Sequence, residues 1–447
     1  MFKLSRLLAA IAPALLSSLA AAADLAQIYR LAQDNDPTFI AARANRDAGR
    51  EKSAQALAGL LPSVTLSGNT TWNDNELTPR GGITSHPRFN SNGYQLTLSQ
   101  PLFRWQNWIA HDQSKLQVAQ AEASFEQARQ DLILRVAQAY FDVLHAAENL
   151  QAVQANKAAI AQQLELAKKS FEVGTATITD THEAQARHDL ASAQEIAAEN
   201  ELEVRHRALQ AIIGNEPGVL ARLRRDAELR PPQPADMMRW VNAAEQDSFT
   251  VQIQQAIADI AEREVDRQRA GHYPTVDLVA NQGTSKSLFA GNILETDYRN
   301  AGIQVSIPLF QGGAQVSRQR EAAATRTAAQ AGLEATRRAS ALAARQHYLG
   351  VVNGLAQVRA LKAALVSSQS ALDSNKLGYE VGVRINIDVL NAENQVYNTR
   401  RDLARATFDT LLAQLRLKAA VGALGEDDLL QINALLDPRQ EVPTSAR

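Results

Sequence analysis

The chain changes its rhythm of apolar and polar positions twice, in the same order each time. In "VTLSGNTTW", Val64, Leu66 and Trp72 fall on one side while Thr65, Ser67, Asn69 and Thr71 fall on the other, which is the two-residue period of a strand. "YQLTLSQ" from Tyr94, "VDLVANQ" from Val276 and "IQVSI" from Ile303 alternate in the same way. The polar stretches between them, "NDNELTPRGGITSHPRFNSN" and "TSKSLFAGNILETDY", read as loops, so each half supplies one hairpin. After each hairpin the period changes. From Gln106 to about Ser170 neither Pro nor Gly interrupts a helix-forming run, and from about Ala314 to Leu377 only Gly332, Gly350 and Gly354 do. A helix of ~60 residues is ~90 Å long. The apolar positions of these runs keep no single clean heptad, and their abundant Ala predicts tight packing among several long helices.

Both runs end in nearly the same words, "EVGTATITD" from Glu172 and "EVGVRINID" from Glu380. Further echoes occur at the same offset of about 210 residues: "LLPSVTLSGNTTW" with "HYPTVDLVANQGT", "SQPLFRWQN" with "SIPLFQGGA", and "QAYFDVL" with "RQHYLGV". An ordered set of this kind is a tandem duplication, with a period too long for a solenoid repeat. Gly174 and Gly382 are placed to end one long helix and reverse the chain into another, spanning about Asp180 to Ile213 and about Asp388 to Val421. The structural role expected of Asp180 and Asp388 is helix N-capping. "EPGVLARLRRDAELRPPQPADMMRW" reads as an irregular connection leading to a short helix near Met237, and the tail after about Leu435 as disordered.

Composition narrows the class. A formal charge of −2 over 447 residues lacks the basic excess of a general nucleic-acid binder. Lys3 and Arg6, the apolar "LLAAIAPALLSSL" and the small residues before Asp24 form a cleavable export signal, residues 1–23. The chain has no cysteine, so no disulfide and no acylated cysteine anchor is available to it. After the signal no apolar run reaches the eighteen or so residues of a membrane-spanning helix, which leaves a periplasmic or secreted protein, or a β-barrel whose alternating strands escape hydropathy. "HEAQARH" starts like a zinc-protease helix, but His182 and His188 are too far apart for a shared His-x-x-x-His site, and neither a metal site, a cofactor site nor an enzyme is expected.

Four strands cannot close a barrel, and an open edge in lipid leaves backbone groups unsatisfied, so membrane insertion requires shared strands. Three copies supply about twelve, an even number in the usual range. Trp72, Tyr94, Phe103, Trp105, Trp108, Tyr273 and Phe310 cluster near strand ends, where they serve either an interfacial girdle or core packing.

The signal, the duplicated halves, Pro-Leu-Phe after each second strand, "GYEVGVRINIDVLNAENQVYNTRRDLARA" and "LKAAVGALGEDDLL" together resemble the TolC family of outer-membrane channel-tunnel proteins, over essentially the whole mature chain. The resemblance implies a mainly α fold with a β-barrel part: duplicated halves, each with a β-hairpin and long coiled-coil helices, assembled as a homotrimer with a twelve-stranded barrel and an α-helical periplasmic tunnel. It divides the chain into repeats at 24–214 and 249–430, a connecting segment at 215–248 and a tail at 431–447. It implies an exit duct in the Gram-negative outer membrane that works with a periplasmic adaptor (membrane fusion) protein and an inner-membrane ABC or RND-type transporter, contacts outer-membrane lipid and binds no nucleic acid. By the same resemblance Thr179 and Asp180 latch against Tyr379 and Arg384, Pro101, Phe103, Pro308 and Phe310 mark the barrel–tunnel junction, and Asp388 forms a constriction ring. Where the family carries a second aspartate ring, this chain has Asn391. The reading set against it is a structural coiled-coil or adaptor protein of an export complex.

Overall fold

The computed structural model describes residues 22–442 except 79, 176, 225, 226, 290 and 291. The export signal therefore lies, but for its last two residues, outside the described residues. Helices α1 (Leu25–Asn35) and α2 (Pro37–Ala58) lead into strands β1 (Ser63–Asp74) and β2 (Arg88–Phe103), then helices α3 (Trp105–Glu172) and α4 (Ile178–Ile213). After β3 (Leu220–Leu223) the same six-element order returns as α5 (Met237–Asp247), α6 (Phe249–Arg269), β4 (Thr275–Phe289), β5 (Asn292–Ser306), α7 (Ala314–Glu380) and α8 (Asn386–Ala420). Helix α9 (Glu426–Asn433) and strand β6 (Leu436–Val442) follow.

Local chemistry sets the helix ends. Asp24, Asp36 and Ser248 each place a side-chain oxygen on an N–H that has no partner inside its helix, and Pro37 occupies the first position of α2. At 68 residues α3 is about 100 Å long. Toward the sheet α3 packs on α2 and α6; toward the other end it packs on α4 and α8.

The four long strands form one antiparallel sheet in the order β1-β2-β4-β5, so the two hairpins meet along β2 and β4, and β1 and β5 each pair on one side only. The apolar face of β1 has no cover: Val64, Leu66 and Trp72 are 62%, 70% and 84% exposed. All seven aromatics flagged at the strand ends are exposed in the single chain and so are not its core. The second inter-strand loop expected from sequence is instead ladder, with Thr284 opposite Asp297 and Lys286 ion-paired to Glu295 at 3.0 Å. Its side chains are polar, as in a loop, because this outer part of the hairpin is open on its faces.

The heptad missing from the long runs as a whole is present in their turn-proximal halves. Val153, Ile160 and Ala167 of α3 meet Ala184, Ala191 and Ala198 of α4, and Val351, Val358, Leu365, Leu372 and Tyr379 recur every seventh residue of α7. A seven-residue seam is the pattern of a left-handed coiled coil, and Ala at that seam lets the axes approach closely.

The main core lies where α1, the middle of α3, the ends of α4 and α8, β3, α9 and β6 meet. Phe141 stacks on Phe408 at 5.5 Å, and the buried Tyr140 hydroxyl donates to the Ala221 carbonyl at 2.7 Å. Full burial of each ring contributes ~1.5–3 kcal/mol. The expected disorder after Leu435 is corrected as far as Val442, the remainder of that tail lying outside the described residues: β6 pairs antiparallel with β3, which also bridges to Ala23. A backbone partner across the molecule, invisible in local composition, orders this segment.

Asp36 is buried beneath Arg135, whose two terminal nitrogens reach its oxygens at 3.1 Å each. Burial alone would raise its pKa, but hydrogen bonds from Thr38, Arg135 and the Phe39 N–H, with the charge of Arg135, hold it below the usual carboxylate value. Such a group adds stability above its unfolded pKa of about 3.9, and that stability is lost as the pH falls through the folded value. Acidification from about pH 6 to about pH 3 should therefore lower the melting temperature of the native chain more than that of Asp36→Asn, as read by circular dichroism. Equal shifts would remove Asp36 from the account.

Candidate functional site

The two turns that reverse the long helices share one backbone design. Gly174 and Gly382 sit at φ +77° and +76°, and their N–H groups donate to Phe171 and Tyr379 carbonyls at 3.0 Å. The next residues, Thr175 and Val383, donate to Ser170 and Gly378 carbonyls at 2.8 Å each. This closes the orphan carbonyls of a helix end, and only glycine takes the left-handed position without strain. Neither aspartate is the N-cap expected from sequence. Each lies three residues past that position.

The copies then diverge at the cap. In the first turn Thr177 is the N-cap and exchanges hydrogen bonds with Asp180: the Thr177 N–H reaches the carboxylate at 3.0 Å and the Asp180 N–H reaches the threonine oxygen at 3.3 Å. In the second turn the cap is Ile385, which offers no side-chain oxygen. Asp388 is left to the guanidinium of Arg384 at 3.6 Å. Arg384 folds back in this way because Gly378 makes room: a Cβ at Gly378 would stand 2.7 Å from the Arg384 Cγ.

Of the expected latch, Tyr379 packs partly buried against Leu372, Val389 and Val396, and Thr179 is exposed. Among the described residues no hydrogen bond or ion pair joins Arg384 to Asp180; each is engaged within its own hairpin. What does join the hairpins here is Arg187 of α4, whose Nη2 donates to Asn391 Oδ1 of α8 at 3.1 Å. Beside it Leu390 packs on Ile160 and Ala191. Sequence reading missed both Gly378 and Arg187. The first had a signal, since "GYEVGVR" carries a glycine where the first copy has Ser170 and no arginine follows.

At the opposite end, β2 bulges between Pro101 and Phe103 and passes directly into α3, with Phe103 stacked on Trp105 at 6.5 Å. Between them Arg104 makes a two-pronged ion pair with the buried Asp277 of β4, at 2.8 and 2.7 Å. It ties the seam between the hairpins to the start of the longest helix. In the second half Pro308 and Phe310 lie in an irregular segment before α7, ending in Gly312 and Gly313 at positive φ, and Phe310 is exposed.

The family model described as "Outer membrane efflux protein" matches residues 28–215 and 240–423. The chain is 33% identical over 440 residues to outer membrane protein TolC of Vibrio cholerae serotype O1, an alignment covering 97% of this chain and 98% of that protein. It is 33% identical to the alkaline protease secretion protein AprF of Pseudomonas aeruginosa, over 90% of this chain and 85% of that protein. Among solved structures, the Campylobacter jejuni CmeC outer membrane channel superposes with a TM-score of 0.79 at 16% identity, over 92% of this chain and 90% of that one, a likeness of fold.

Replacing a helical glycine by alanine ordinarily stabilises by up to ~1 kcal/mol. Gly378→Ala should do the reverse locally, because the new methyl displaces Arg384. Hydrogen exchange at the amides of Val383 and Arg384, both bonded to the Gly378 carbonyl, is expected to quicken, while exchange around Gly174 stays unchanged.

Proposed function

We infer the function from the premise that the chain belongs to the outer membrane efflux protein family. It is an outer-membrane exit duct of the efflux and type I secretion kind, located in the Gram-negative outer membrane. The single observation that carries the reading is a sheet with two unpaired edges and an uncovered apolar face, mounted on helices about 100 Å long. Two open edges in lipid are untenable alone. We propose that three copies pair β5 of one with β1 of the next and close a twelve-stranded barrel, with the long helices forming a tunnel below it.

At the far end of that tunnel Asp388 is the proposed constriction ring, with Asn391 one helical turn beyond. The turns at Gly174 and Gly382 bring the chain round to it. Thr179, Asp180, Tyr379 and Arg384 are proposed to latch when the tips of three copies converge, since within one chain Arg384 is turned to Asp388. Exchange of short polar links of this kind opens a tunnel without unfolding a helix. Pro101, Phe103, Pro308 and Phe310 are assigned to the barrel–tunnel junction. The proposed partners are a periplasmic adaptor and an inner-membrane ABC or RND-type transporter, which supplies the energy; the chain itself is proposed to catalyse no reaction. An adaptor has no use for a lipid-facing sheet, so no observation favours that second reading.

The protein is expected in the outer-membrane fraction as a heat-modifiable species three times the chain mass. Recovery as a monomer in osmotic-shock fluid would sink the proposal. In planar bilayers Asp388→Ala is expected to reduce cation preference, and an unchanged reversal potential would take the ring elsewhere.

A further inference from the structure

Asn391 is the one constriction position that departs from the family pattern, and the structure gives it a partner from the other hairpin. The Arg187 guanidinium that donates to Asn391 Oδ1 at 3.1 Å also reaches Glu183 Oε1 at 3.4 Å, one turn back on its own helix. Its side chain is 25% exposed. One turn onward on α4, Ala191 is buried against Leu390, the neighbour of Asn391, and against Ile160. A dry three-helix contact thus sits beside a charged hydrogen bond. Asp180 and Arg384 are each held by their own hairpin, so among the described residues Arg187 to Asn391 is the hydrogen bond between hairpins that lies nearest the turns.

We propose that Arg187 is a positioning and selectivity residue of the entrance, tying the α3–α4 hairpin to the α7–α8 hairpin at Asn391 and offsetting there the charge of Glu183, so that its loss exposes that carboxylate one turn beyond Asp388. The proposal rests on the reading that Asp388 and Asn391 line the constriction. An amide accepts the hydrogen bond but carries no charge, so the ionic partner of the guanidinium is Glu183, at 3.4 Å one turn back on its own helix, and not the residue at 391. A carboxylate at 391 would form a charge-assisted pair, which is stronger and cancels the field. With the amide the tie is breakable and the second ring carries a guanidinium paired to Glu183 instead of a free carboxylate. Asp388, already facing Arg384, then lies between two guanidinium groups along the path.

The test is single-channel recording of purified trimers in planar bilayers under a KCl gradient. Arg187→Gln is expected to raise the ratio of open to closed dwell times by about 10- to 150-fold, the effect of losing one hydrogen bond to a charged group, and to move the reversal potential toward greater cation preference. Arg187→Lys should keep the reversal potential of the native pore. Asn391→Ala should raise the dwell-time ratio similarly but leave the reversal potential nearly in place, because the cation remains. The double variant should open no more readily than either single one. A purely structural role would not separate the two readouts. An unmoved reversal potential in Arg187→Gln, or additive opening in the double variant, overturns the proposal. A native protein that forms no pore overturns the channel reading and this one with it. A normal response to Asp388→Ala with silent Arg187 variants overturns this one alone.

Discussion

A backbone N–H or carbonyl left without a partner in hydrocarbon costs several kcal/mol, and each chain carries two strand edges full of them. Much of the rest follows from that constraint. The sheet is uncovered on its apolar face because lipid is its proposed cover, and open at its edges because another copy is. The helices need not bury an all-round apolar surface, so their seams use alanine. The larger side chains gather in the belt around Tyr140 and Phe141.

Duplication supplied the symmetry, and a few substitutions broke it. Thr177 in one copy and Ile385 in the other decide what the following aspartate does. With threonine, the carboxylate is consumed by the helix start. With isoleucine, it faces a guanidinium whose folded-back path depends on Gly378. Two turns built on matching left-handed glycines thus present different charges.

The parts of this architecture legible in the sequence are those with local signals. Strand alternation near Val64 and Val276, uninterrupted helix formers after Gln106 and the paired glycines all state their geometry within a few residues. The heptads escaped because they occupy only the turn-proximal halves of α3 and α7; nearer the sheet the same helices have other neighbours. Strands β3 and β6 escaped because β3 is only four residues long, β6 carries Pro438 inside it, and both are ordered by a partner on the far side of the chain. At the site, the glycine turns were legible, but the bond of Arg187 to Asn391 was not. It joins residues brought together by the packing of two hairpins, and neither has an unusual neighbour in sequence.

The belt that joins Ala23, β3 and β6 links regions at the start, middle and end of the described chain; one hydrogen bond in it, from the Ala26 N–H to Asn433, spans 407 positions. Contacts of that separation carry a large loop-closure cost, whereas the α3–α4 and α7–α8 hairpins close across a handful of residues. The topology thereby favours arms that close before the belt, the global commitment that fastens both repeats to one another.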